Sequence, residues 1–241
     1  MEYLQDPQSA GPARPMNILI VLTSHDALGT TGYATGFSFE DFTAAYYAFL
    51  DAGADLTLAS PMGGPPPVDP SGRTAGSLNP TIERFRSDSN ARTLLSDTLR
   101  LEQVDIRDFD AAYFPDGRGA LWDLASDAHC RSVITGLLAA GKPVALVGHA
   151  AVALLEALDH TGRPLVLGRN LTCFSNSEES AAGLMSTCPR SVQEELIQRG
   201  ARFSKAQDWI PHVVQDGELI TGQNPASARE AAQRLLDRLR R

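Results

Sequence analysis

The run Pro143-Val144-Ala145-Leu146-Val147-Gly148-His149-Ala150 constrains the fold more than any other stretch of the chain. Four successive apolar residues suit a strand buried on both faces, and such strands belong to parallel sheets covered by helices. A helical pattern resumes at once, over Ala150 to Leu158. Strand must therefore pass into helix through Gly148 and His149 alone. This is the geometry of a nucleophile elbow, where a strained turn pushes one residue into a pocket. Gly148 tolerates such a backbone but brings no side chain that can attack anything.

The rest of the chain repeats the alternation. Asn17 to Thr23, Ala54 to Ala59, Ala111 to Phe114 and Pro143 to Val147 read as strands. Phe39 to Ala52 has helical spacing, with Phe42, Ala45, Tyr46 and Phe49 on one face, and stops at Gly53. Thr81 to Leu99, Leu121 to Ala125, Ala128 to Ala140 and Arg190 to Arg199 read as further helices. A hairpin is predicted around Asp216-Gly217, then a terminal amphipathic helix over Pro225 to Arg241. Strands alternating with helices give an α/β fold, a flavodoxin-like doubly wound parallel sheet with helices on both faces. Ligands of such sheets bind beyond the carboxyl ends of the strands. Residues 1–15 read as a flexible leader, 16–241 as a single domain, and about 61–101, rich in Pro and Gly at its start, as a small cap or insertion.

At 241 residues the chain can bury roughly 70% of its unfolded surface. Its formal net charge of -8 argues against a nucleic-acid partner, because neutralising phosphates requires a basic face. The three cysteines, Cys130, Cys173 and Cys188, form no CxxC pair, so neither a disulfide framework nor a metal site is indicated. A reducing cytoplasm fits that usage. No apolar run is long enough to span a membrane.

Several further segments, weak singly, are specific together and in order. They are Thr23-Ser24-His25-Asp26, Thr35 to Asp41 (TGFSFED), Leu58 to Gly64 (LASPMGG), Leu121-Trp122-Asp123-Leu124, Phe174 to Glu179 (FSNSEE) and Thr221 to Ser227 (TGQNPAS). With these the chain, from about Asn17 to Ala232, resembles the DJ-1/PfpI superfamily. Within it, the chain is similar to the Hsp31-like group of glyoxalase III and class I glutamine-amidotransferase-like proteins. The resemblance implies the flavodoxin-like fold, a homodimer and no cofactor. It also implies a Cys-His pair at the elbow, where this chain has Gly148-His149. The acid that accompanies the family's thiol corresponds to Asp41, after Glu40. The family's Gly-Gly-His-Gly turn corresponds to Asp116-Gly117-Arg118-Gly119.

What the resemblance leaves is His149 as a base and Glu179 as the carboxylate that orients it, with Asp41 as a second acid. Gly148, Gly117, Arg118, Glu40 and His25 are candidate substrate-binding residues, Arg118 as an anchor for an oxyanion. Without a thiol at the elbow, glyoxalase III, deglycase, amidotransferase and protease chemistry are not expected. The sequence supports a cofactor-independent, lyase-, hydratase- or isomerase-type enzyme that moves protons on a small carbonyl compound. The alternative is a catalytically dead member that acts as a chaperone or ligand-binding scaffold.

Overall fold

The computed structural model describes residues 15–70 and 79–241. The leader predicted over 1–15 thus lies, but for its last residue, outside the described residues. So does part of the predicted 61–101 insertion.

The elements follow in the order β1 (Asn17–Val21), α1 (Phe39–Asp51), β2 (Asp55–Ser60), α2 (Pro80–Ser87), α3 (Ser89–Ser96), β3 (Leu99–Arg100), β4 (Ala111–Phe114), α4 (Ala128–Ala139) and β5 (Val144–Val147). Then come β6 (Asn170–Leu171), α5 (Asn176–Ala181), α6 (Val192–Gln198), β7 (Arg202–Phe203), β8 (Val213–Asp216), β9 (Leu219–Gly222) and α7 (Ala228–Leu239). Seven strands form one sheet in the order β3-β2-β1-β4-β5-β9-β8. Every pairing is parallel except that of edge strand β8 with β9, the predicted hairpin. β6 and β7 form a separate parallel pair, which the sequence did not signal.

Strand residues alternate cleanly between two cores. Ile18, Ile20, Tyr113, Ala145 and Val147 pack with α1 and α7. Leu19, Val21, Ala112, Phe114, Val144 and Leu146 pack with Cys130, Val133, Ile134 and Leu137 of α4 on the other face. Strands buried on both faces read as unbroken apolar runs for this reason.

Three helix predictions change in detail. The stretch from Thr81 to Leu99 is two helices, because Asp88 ends α2 and caps α3, accepting from the Ala91 N–H at 3.0 Å. α2 packs on α1, with Phe85 against Phe39 and Phe42, and α3 packs on α2 and β2. No α-helix opens at Leu121. The Asp123 carboxylate turns back to accept from Leu124 N–H, Ser24 N–H and Thr23 Oγ1, which ties this segment to the end of β1. After β5, Gly148–Leu154 winds as a tight 3-10 helix in which all seven residues are buried.

Candidate active site

The site forms where the strand order switches from β1 to β4, past the carboxyl ends of β4 and β5. β5 delivers Gly148, whose φ of +56° lies in the left-handed region that favours glycine. His149 follows and is 2% exposed. β4 delivers the turn Asp116-Gly117-Arg118. Gly117 must be glycine, since a Cβ there would fall 2.4 Å from the Gly36 carbonyl oxygen. α5 delivers Glu179. That helix starts on a capping box in which Ser175 Oγ accepts from the Glu178 N–H while the Glu178 carboxylate accepts from the Ser175 N–H.

These side chains form one chain of contacts. His149 Nδ1 lies 2.8 Å from Asp116 Oδ1, and His149 Nε2 lies 2.6 Å from Glu179 Oε2. Arg118 Nε donates to Glu179 Oε1 at 3.0 Å. The Phe174 ring stacks on His149 with centroids 4.2 Å apart, and Trp209 meets Phe174 edge-on at 5.8 Å. A cavity of about 390 Å³ opens over the group, lined among others by Glu40, Asp116, Gly117, Arg118, His149, Phe174 and Trp209. A smaller one, about 120 Å³, touches His149 and Glu179 and includes Cys188.

The electrostatics follow from this packing. Burial opposes charging of His149, but the two flanking carboxylates, Asp116 and Glu179, override it and push the imidazole up to about 9. Burial would likewise raise Glu179, yet His149 and Arg118 hold it down at about 2. At neutral pH the ring therefore carries its proton and both ring N–H groups donate to carboxylates. This departs from the neutral base read in the sequence.

The other predicted residues fall in different places. Asp41 is fully buried behind Asp116, without access to the cavity. It accepts from Tyr113 Oη at 2.6 Å and from the Asp116 N–H at 2.7 Å. Burial raises its carboxyl well above the ordinary range despite those two donors. Glu40 lines the cavity and accepts from Asn79 Nδ2 at 2.9 Å. His25 is not brought into the site. Its ring stacks on Trp122 at 4.9 Å, and its Nε2 lies 2.6 Å from the Ala27 carbonyl oxygen. Burial pushes the Cys173 thiol up, and burial together with Glu179 pushes Cys188 up to about 12, so neither is an activated thiolate.

Three residues of the site were not singled out from the sequence. Asp116 hides in a loop of ordinary turn composition, and its importance depends on what it meets across the chain. Phe174 opens the segment FSNSEE, but an apolar ring carries no signal of a place beside His149. Glu178 could have been found, because Ser175-Asn176-Ser177-Glu178 is a capping-box signature. Among the described residues, no group of three or more His, Cys, Asp or Glu side chains is arranged to hold a metal ion. Nor is any described helix long and apolar enough to cross a membrane.

The family model of the DJ-1/PfpI family matches residues 33–238. The chain belongs to the DJ-1/PfpI family. Among relatives of this DJ-1/PfpI protein, the glutathione-independent glyoxalase HSP31 of Saccharomyces cerevisiae is 27% identical, over 94% of this chain and 99% of that one. The glutamine amidotransferase-like class 1 domain-containing protein 1 of Bos taurus is 29% identical, over 93% of this chain and 94% of that one. The solved structure of the rapid encystment protein REP24 of Francisella tularensis superposes with a TM-score of 0.88 at 31% identity, covering 93% of this chain and 99% of that chain. These likenesses place the protein in the Hsp31-like part of the family. They also correct the expectation, drawn from Gly148, that set glyoxalase III chemistry aside. Relatives matched over nearly their whole length are named glutathione-independent glyoxalases, so that exclusion does not stand.

Proposed function

We propose that this DJ-1/PfpI protein is an enzyme that moves protons on a small carbonyl compound, with 2-oxoaldehydes as the first class to test. The carrying observation is the buried His149, held between two carboxylates at the floor of the cavity. Such a ring stores a proton and a positive charge beside the substrate in a site largely withdrawn from water, where both count for more than in solution. Glu179 orients the ring. Among the described residues the terminal nitrogens of Arg118 donate to no oxygen, so they remain to hold a carbonyl oxygen or a carboxylate. Asp41 acts from behind, by fixing the backbone of Asp116. Gly148 stands where the family resemblance expects a thiol, and the reading needs none. The relatives' names support the substrate class.

The test is conversion of methylglyoxal to its 2-hydroxy acid, followed by proton NMR. His149→Gln is expected to lower kcat/KM by at least 100-fold in protein that still folds, with a lower melting temperature because the charge paired to two carboxylates is lost. A His149→Gln variant with the wild-type rate would refute the assignment.

A further inference from the structure

A proton stored on His149 has no direct way to substrate, because both ring nitrogens end on carboxylates. The carboxylate oxygens can be followed one at a time. Glu179 Oε1 accepts from Arg118 and Oε2 from His149. Asp116 Oδ1 accepts three N–H groups, those of Gly117 at 2.8 Å, the His149 backbone at 2.7 Å and His149 Nδ1 at 2.8 Å. Asp116 Oδ2 accepts none among the described residues, and Asp116 lines the cavity. It is the one uncommitted oxygen in the chain of contacts from Asp116 to Arg118.

The position of that carboxylate is equally informative. A Cβ built on Gly148 would fall 2.2 Å from Asp116 Oδ1, 2.3 Å from Cγ and 2.8 Å from Oδ2. Asp116 therefore fills the space into which an elbow side chain would project. Its Oδ1 also consumes the backbone N–H of His149 at the elbow and that of Gly117 in the facing turn. Those two donors would otherwise be free to meet a substrate oxygen, which leaves the terminal nitrogens of Arg118, among the described residues that line the cavity, as the cationic donors for that task.

We propose that Asp116 is the catalytic base of this site, taking the proton from the substrate carbon through Oδ2 in the space of the missing elbow side chain. The inference rests on the carbonyl-directed reading above. For the hydrate of a 2-oxoaldehyde the step balances. Asp116 takes the C1 proton, the C–H pair forms the C1=C2 bond, and the C2 carbonyl pair passes onto its oxygen beside Arg118. Asp116 then returns the proton to C2, and one C1 hydroxyl proton moves to the C2 oxygen. The product is the 2-hydroxy acid, an isomer of the hydrate, with no oxidant or reductant consumed. The three donors on Oδ1 fix the plane of the carboxylate during the exchange.

The experiment follows two probes by proton NMR in D₂O with the full chain. One is turnover of methylglyoxal, read also for deuterium at C2 of the product. The other is exchange of the methylene protons of hydroxyacetone. Wild type, Asp116→Asn, Asp116→Ala and His149→Gln are compared. The expected result is activity of the wild type, a loss of at least 100-fold in Asp116→Asn, and partial return of the rate when formate is added to Asp116→Ala, since formate can occupy the vacated carboxylate position. Should Asp116→Asn not fold, Asp116→Ala with and without formate decides, and absence of rescue overturns the inference. If Asp116→Asn and Asp116→Ala both stay within threefold of an active wild type, Asp116 is not the base, while a loss in His149→Gln leaves the broader reading standing. A wild type inert toward both probes overturns the broader reading and the inference together.

Discussion

Gly148 is held to glycine by two independent constraints, a left-handed φ of +56° and the Asp116 carboxylate across the turn. An L-residue in that conformation costs on the order of 1–2 kcal/mol, and the overlap adds roughly 1–3 kcal/mol. Gly148→Ala is therefore expected to destabilise the protein by about 2–5 kcal/mol in chemical denaturation. Installing a thiol by Gly148→Cys alone meets the same overlap. Adding Asp116→Gly should recover the overlap part but leave the backbone part, and the two changes will not add because the residues touch. Equal destabilisation by Gly148→Ala in the wild type and in the Asp116→Gly variant would show that the carboxylate does not occupy that space. At this scale the sequence was readable where identity alone decides. A glycine at a strand-to-helix turn implies an unusual φ. It placed Asp116 in the facing turn but gave it no role, because the elbow that gives Asp116 its meaning lies in a different strand-to-helix turn, far along the chain.

Among the elements, α5 and the loop that carries Trp209 are joined through one buried carboxylate. Glu178 accepts from Ser175 N–H and Oγ, Trp209 N–H, Gln223 Nε2 and Asn224 Nδ2. Trp209 has a φ of +68°, the one described non-glycine residue with positive φ, and it forms part of the cavity wall. The bond from its N–H to Glu178 Oε1, at 2.9 Å, helps hold that strained backbone in place. Removing the acceptor leaves several buried donors without a partner. Glu178→Ala is expected to cost about 3 kcal/mol. It should also raise KM more than it lowers kcat, because the Trp209 and Phe174 wall loosens while His149 keeps its contacts. A steady-state split in the opposite sense would count against this role. The same comparison explains which elements were legible. α1, α4, β1 and β5 follow from periodicity that tertiary contacts reinforce. The break at Asp88 and the lost helix at Leu121 come from aspartates whose side chains compete for backbone N–H groups, and periodicity does not record that competition.

For the molecule as a whole, the site couples stability to pH. The His149 pKa is higher folded, about 9, than the ordinary 6.5, so its contribution is fully present below 6.5 and is lost as pH rises through 9. The Glu179 pKa is lower folded, about 2, than the ordinary 4.5, so its contribution is present above 4.5 and is lost as pH falls through 2. The buried Asp41 has its pKa raised by burial, so its contribution is fully present below the ordinary 3.8 and is lost as pH rises above it. The melting temperature is thus expected to decline between pH 6.5 and 9 by more in the wild type than in Asp116→Asn, which removes one of the two carboxylates facing His149. Parallel declines in the two proteins would show that His149 does not gain its proton affinity from Asp116.

By itself, the sequence determined the α/β alternation, the buried elbow, the family and the candidacy of His149, Glu179 and Arg118. The alternation and the elbow depend on residue identity and on spacing within one element, and the family and those three candidates depend on motifs that resemble the family's in order; both survive in a linear string. Only the tertiary structure decided that His149 is charged, that Asp41 supports the site from behind, that His25 lies apart from it, and that Asp116 stands at the elbow. Those properties arise from burial and from distances between residues remote in sequence. A pKa and an occupied volume belong to the assembled neighbours of a residue, and the packing of β4 against β5 brings those neighbours together.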